Sequence, residues 1–348
     1  MSNLNTSGNE ILFADICGLI EETRKVVACS INGKLTELYW NIGKRISEEF
    51  LKNNRAKYGK KQIAGISHKL TLEYGKGFGP SALMKMVKLH ECFPNQRIMA
   101  TLWPQLSWSH FRVLIPIKNE LKRDFYSEMC RIEGWSVRTL RSKVDSILFE
   151  RTALSKKPEF LARAELDKLR SEDLVTPSMV FKDPYILDFL GINDRYMEKD
   201  LEDAILRDME NFLLEMGAGF TFMARQKRIV IDNDDFYIDL VFYNRILQRL
   251  VCVDLKLGSF KPGHKGQMEL YLRWMDQNER RANEKQPLGI ILCAGKKQNQ
   301  IELLQLGRSG IHVAEYLTVL PPREAFQKKL YQAMESSRLR LSQGQREK

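Results

Sequence analysis

The chain has 348 residues, of which 43% are hydrophobic, 28% charged and 9% aromatic. That balance excludes a fibrous or largely disordered chain, and the length predicts two domains of ordinary size. Lys and Arg number 55 against 44 Asp and Glu, and the resulting charge of +11 points to a polyanionic partner.

Residues 1–9 are polar, and Met1-Ser2-Asn3-Leu4-Asn5 has neither the charge nor the apolar run of a signal peptide. From about residue 11 to residue 50, Ile16, Leu19, Ile20, Val26, Val27, Leu35, Leu38, Tyr39 and Ile42 fall at three- and four-residue steps. This predicts helix, with a bend at Gly33. Residues 51–100 hold 10 basic and 2 acidic side chains. Within them Ile63, Ile66 and Leu70 repeat at helical spacing up to Tyr74. Gly75-Lys76-Gly77-Phe78-Gly79-Pro80 reads as a turn, and Ser81 is placed to cap a second helix carrying Leu83, Met84, Val87 and Leu89. Helix, glycine turn and basic helix outline a helix-turn-helix, and an ordinary helical hairpin with solvated lysines fits the same pattern. On the first reading Lys60, Lys61, Lys69, Lys85 and Lys88 face nucleic-acid phosphates. The glycine run lies between helices and lacks Walker spacing, so it is not read as a nucleotide loop.

Trp103, Trp108, Phe111 and Leu114 open a further helix, capped by Ser107 or Ser109. Gly134-Trp135-Ser136 precedes another, with Val137, Leu140, Val144, Ile147 and Leu148. Residues 1–150 therefore read as an all-α domain for DNA binding or oligomerisation. Residues 151–177 contain Pro158 and Pro177 and read as a connector. From residue 178 to residue 330 the pattern becomes mixed. A long helix is predicted over 198–216, with Leu201, Ala204, Ile205, Met209, Phe212 and Leu213 as its buried stripe and Glu202 at the edge. Strands follow at about 220–231, 236–243 and 249–257, then a helix with Met268, Leu270, Tyr271, Leu272 and Trp274, then a buried strand over 288–293. Residues 331–348 read as a basic tail.

The strands carry the chemistry. Asp239 sits inside an apolar and aromatic run, and Val253-Asp254-Leu255-Lys256-Leu257 buries two more charges. A charge in a sheet interior is costly unless it is paired or bound to metal. If Asn244 pairs with Arg249 across a loop at 245–248, Tyr243 pairs with Leu250 and Asp239 with Asp254. Lys256, two residues on, shares the face of Asp254. Two facing carboxylates share a proton or a cation. Oxygen ligands without a His/Cys cluster favour Mg²⁺ or Mn²⁺ over zinc. A structural Asp–Lys pair is the alternative. Gln267 and Tyr271 are four apart and share a helix face.

This arrangement resembles the PDDEXK nuclease superfamily: an acid on the second strand, Asp-x-Lys on the third, and Glu202 on the first core helix. Gln267 and Tyr271 resemble the Gln-xxx-Tyr motif of its RecB-like branch. Leu106-Ser107-Trp108-Ser109-His110, Glu133 through Arg138, Asp183-Pro184-Tyr185, Gly219 through Gln226, Ile238 through Tyr243 and Phe260-Lys261-Pro262 are similar to one bacterial family, often called YhcG-like. That family joins a helical N-terminal domain to a PDDEXK domain. The resemblance implies a restriction-endonuclease-like α/β domain with an αβββαβ core and mixed sheet. It implies a Mg²⁺- or Mn²⁺-dependent deoxyribonuclease in which Asp239, Asp254, the Leu255 carbonyl and Glu202 hold the metal. Lys256 would activate or orient water, and Gln267, Gln226 and Tyr271 would support the site or contact nucleic acid. Two departures stand out: Asp254 replaces the usual Glu, and Asn244 replaces a common His.

Two rival functions keep the fold. One is a catalytically impaired nucleic-acid-binding protein, motivated by the shorter acid at Asp254. The other is a protein-interaction component of a defence or mobile-element system. DNA is the expected partner and RNA the alternative, and a homodimer is plausible, since cutting both strands often needs two sites. Six scattered cysteines without a C-x-x-C pair predict reduced thiols and a cytoplasmic protein. No apolar run reaches membrane-spanning length.

Overall fold

The computed structural model describes residues 16–17, 31–49, 56–191 and 197–343. The chain divides into two units, Met1–Asp145 and Ser146–Lys348.

The described part of the first unit is helical. Its helices are α1 (31–49), α2 (Ala56–Tyr74), α3 (Pro80–Cys92), α4 (Gln96–Leu102), α5 (Trp108–Leu114), α6 (Glu120–Glu133) and α7 (Val137–Asp145). Ile46, Ile63, Leu83, Met86 and Val87 form the apolar centre where α1, α2 and α3 meet. Glycine makes the close approach possible: a Cβ on Gly43 would lie 1.9 Å from the Met86 carbonyl oxygen. Gly33 lies within α1, and a Cβ there would meet the Trp103 carbonyl oxygen at 2.9 Å, so its role is contact as well as shape. The glycine turn contains a short 3₁₀ segment, Lys76–Phe78, pinned by a 2.8 Å hydrogen bond from Ser67 Oγ to the Phe78 carbonyl. Ser81 is not the cap: α3 starts one residue earlier, with Pro80 in its first turn and Gly79 before it. Ser107 does precede α5, its N–H donating to His110 Nδ1 at 3.1 Å. The last helix ends at Asp145, short of Ile147 and Leu148, because Ile147 adopts a left-handed φ of 56°.

The second unit opens with α8 (Leu148–Arg151), α9 (Glu159–Glu172), α10 (Pro177–Val180) and a two-residue strand β1 (Tyr185–Ile186). Then come α11 (Glu198–Arg207), α12 (Met209–Met216), β2 (Phe220–Ile231), β3 (Asp234–Asn244), β4 (Arg249–Ser259), α13 (Pro262–Asn278), β5 (Leu288–Gly295), α14 (Gln298–Leu303), β6 (Ile311–Leu317) and α15 (Arg323–Gln343). The six strands form one mixed sheet in the order β1-β6-β5-β4-β3-β2. β2, β3 and β4 pair antiparallel, and β4, β5, β6 and β1 pair parallel. Asp232 and Asn233 both take positive φ, as a two-residue hairpin requires. α13 bridges the parallel strands β4 and β5, burying Met268, Tyr271, Leu272 and Met275 against Ile238, Val241, Cys252, Ile291 and Cys293. This is the expected αβββαβ core.

Three boundaries differ from expectation. The predicted helix over 198–216 breaks at Asp208, whose ψ of 46° ends α11 before α12 begins. The predicted connector 151–177 belongs to the second unit. Arg151 is buried and pairs with Glu215, while Lys156 and Lys296 pair with the buried Asp183. The predicted tail is helical to Gln343, and Phe326 and Leu330 of α15 pack against Ile147. Residues 344–348 lie outside the described residues.

Candidate active site

The β3–β4 turn sets the alignment of the acids. Asn244 is fully buried, and its Oδ1 accepts the Leu247 N–H at 2.8 Å, closing the turn. Asn244 pairs with Arg249 and Tyr243 with Leu250, and the ladder continues in step to Leu240 and Val253. The pairing ends there; one step further along the same register would set Asp239 opposite Asp254. The Leu255 N–H donates to Asp239 Oδ2 at 2.8 Å. Because N–H and C=O of one strand residue point to the same edge, the Leu255 carbonyl also faces this gap. Asn244 stands five residues from Asp239, about 17 Å along the strand, so it serves the turn and not the acids.

Asp254 is 2% exposed. Its Oδ1 accepts from Lys256 Nζ at 3.0 Å, while its Oδ2 is buried without a hydrogen-bond partner. Burial pushes the Asp254 carboxyl up to about 6, with Lys256 pulling against it and Asp239 adding to it. Burial also raises Asp239, although the Leu255 N–H and Lys256 oppose this. Burial would lower the Lys256 ammonium, but Asp254, Asp239 and Glu198 more than offset it and hold its pKa above the ordinary lysine value. The site is thus a pair of reluctant carboxylates, one with an orphaned oxygen, beside a lysine that stays charged.

Glu202 reaches the pair from α11 and is 6% exposed. Its Oε1 is taken by the Arg225 guanidinium and its Oε2 accepts from Gln226 Nε2 at 2.7 Å. The same Gln226 nitrogen lies 3.1 Å from Asp239 Oδ1. Gln226 has φ 44°, a left-handed value inside a strand. The β2–β3 ladder pairs Arg225 with Leu240 and Lys227 with Ile238 and skips Gln226 opposite Asp239.

On α13, Gln267 Nε2 donates to the Tyr271 hydroxyl at 2.7 Å. Tyr271 is 1% exposed and lies in the core, so it props Gln267 from beneath and is not presented to nucleic acid. After burial and the Gln267 bond, Asp254, Asp239 and Lys256 also act on its phenol. Sequence reasoning missed Arg225 and Glu198. The Glu198 carboxylate accepts the Leu257 N–H at 3.4 Å and adds negative field at Asp254. Its place four residues before Glu202 on one helix face is the signal that marks it. In the first unit Lys69, Lys85 and Lys88 are exposed, and the side chains of Lys60 and Lys61 lie outside the described residues. Among the described residues no group of three or more His, Cys, Asp or Glu stands ready to hold a metal, and no helix is long and apolar enough to cross a membrane.

Residues 178–331 match the YhcG PDDEXK nuclease domain, and residues 15–151 match the DUF1016 N-terminal domain. The chain is 31% identical to a protein of Escherichia coli (strain K12) called "Putative nuclease YhcG", over 92% of this chain and 93% of that one. A repair endonuclease from Pyrococcus abyssi aligns at 18% identity with a TM-score of 0.25, covering 37% of this chain and 50% of that one. EndoMS in complex with dsDNA aligns at 15% identity with a TM-score of 0.27, covering 37% of this chain and 48% of that one.

Proposed function

The chain belongs to the family that joins a DUF1016 N-terminal domain to a YhcG PDDEXK nuclease domain, and we propose that it is a metal-dependent nuclease that hydrolyses phosphodiester bonds in DNA. The observation that carries this reading is the half-buried Asp239 together with the buried Asp254, whose Oδ2 has no partner, beside Lys256.

The donor set fits a hard divalent cation, Mg²⁺ or Mn²⁺. Two carboxylates and one main-chain carbonyl are all oxygen, and Mg²⁺ is commonly held by one or two carboxylates with water filling the rest. A bound cation would relieve the mutual repulsion of Asp239 and Asp254 and take up the orphaned Oδ2. When bound, such an ion acts as a Lewis acid and lowers the pKa of water. In the metal-free site the neighbouring carboxylates hold the Lys256 pKa above the ordinary lysine value. Its ammonium anchors Asp254 and donates hydrogen bonds to the attacking water or to a non-bridging phosphate oxygen. Gln267, fixed by Tyr271, orients polar groups on the same side. The exposed Lys69, Lys85 and Lys88 neutralise DNA phosphates in the first unit.

Cleavage of plasmid DNA with Mg²⁺ tests the reading. Asp239→Ala and Lys256→Ala are expected to lose on the order of 100-fold or more in rate. Equal cleavage by all three proteins would sink the site, and binding without cleavage by wild type would favour the impaired-nuclease reading. Lys85→Glu with Lys88→Glu is expected to weaken DNA binding and flatten its salt dependence, by about 0.9 in log–log slope for each phosphate no longer neutralised.

A further inference from the structure

Glu202 is joined to Asp239 through Gln226, and both its oxygens are engaged, by Arg225 and by Gln226. Arg225 is itself held by a second carboxylate, Asp203, at 2.6 Å. Gln226 is the link. Its amide nitrogen touches Glu202 Oε2 at 2.7 Å and Asp239 Oδ1 at 3.1 Å. To place it there, the backbone accepts a left-handed φ of 44° at a non-glycine residue and forgoes one ladder pair. Strain of this kind persists only where surrounding structure over-determines it, and it concentrates at functional sites.

We propose that Arg225, Glu202 and Gln226 form a positioning bracket that orients the Asp239 carboxylate toward the divalent-cation site. Asp239 is then fixed at both oxygens, Oδ2 by the Leu255 N–H and Oδ1 by the Gln226 amide. Each oxygen keeps a lone pair for the cation, because one hydrogen bond uses only part of its acceptor capacity. Outer partners that orient ligating carboxylates commonly change metal affinity about 10–100-fold when removed. The bracket rests on the nuclease reading only in taking the acid pair as a metal centre, and it concerns binding, not turnover.

Titration of the full chain with Mn²⁺, followed by electron paramagnetic resonance and calorimetry, tests it without substrate. Wild type sets the reference affinity. Asp254→Asn should lose affinity by about 100-fold or more, and Glu202→Gln and Gln226→Met by about 10-fold each. Because those two residues act through one path, the double variant should be no weaker than the weaker single variant. A double variant weakened about 100-fold, or Glu202→Gln matching Asp254→Asn, would overturn the bracket. Gln226→Gly separates positioning from simple scaffolding. Glycine relieves the left-handed backbone, so the melting temperature should hold or rise while Mn²⁺ affinity falls about 10-fold. A joint fall of both would show a merely structural residue. If Mn²⁺ binds as predicted but wild type cleaves no DNA, the nuclease reading fails and the bracket stands.

Discussion

Replacing Asp254 by Asn should stabilise the metal-free protein. Burial raises the Asp254 carboxyl from 3.8 to about 6, a value that already includes its attraction to Lys256. At about 1.4 kcal/mol per decade, keeping this group ionised at pH 7 costs the folded state about 3 kcal/mol. The folded state holds the proton more tightly than the unfolded chain. The group's contribution therefore falls as pH rises from about 4 to about 6, and the loss is complete by pH 7. Asn has nearly the same shape and no charge, so the variant should gain about 3 kcal/mol at pH 7 and almost nothing at about pH 3.5. For a unit of this size that gain raises the melting temperature by roughly 5–10 °C. Differential scanning calorimetry on wild type and variant, in chelator and across pH, gives the comparison. Saturating Mg²⁺ should raise the melting temperature of wild type and leave the variant unmoved. A variant that melts at or below wild type at pH 7 in chelator would refute the reasoning, because the carboxylate would then carry no folding penalty.

Two further predictions concern packing. Gly43→Ala places a methyl group 1.9 Å from the Met86 carbonyl, so α1 and α3 must separate, and the urea midpoint of the first unit should fall by the equivalent of about 2–3 kcal/mol. A neutral or stabilising result, as alanine gives elsewhere in helices, would show that the crossing is looser than described. Asp183→Asn leaves Lys156 and Lys296 facing a neutral amide in a buried site and should cost the second unit about 3–5 kcal/mol, read by circular dichroism melting.

The strand register leading to the acids was legible because it depends on two local quantities: the period of two along a strand and the length of one turn. Both are visible between Asp239 and Lys256, and the ladder from Asn244–Arg249 to Leu240–Val253 follows them. The core order of helix, three strands, helix and strand was legible for the same reason. What sequence missed depends on distant partners. Arg151 meets Glu215, and Lys156 meets Asp183, across tens of residues, so the charged stretch at 151–177 looked like a solvated linker. Tyr271 shares a helix face with Gln267, but spacing does not reveal depth, and the ring proved to be core. Arg225 lay in a stretch that resembles the family, but no spacing set it apart, since its partner Glu202 sits on a helix 23 residues earlier.

The pairing of Arg151 and Lys156 with residues of the sheet region bears on how this protein can be dissected. The nuclease-domain match covers 178–331, whereas the folded unit begins at Ser146 and α15 runs to Gln343. A fragment trimmed to the match would strip Glu215 of Arg151 and Asp183 of Lys156, and would remove the α8 end against which α15 rests. Silence from such a fragment in a cleavage assay would report a broken scaffold, whereas a fragment begun at Ser146 would let the chemistry speak for itself.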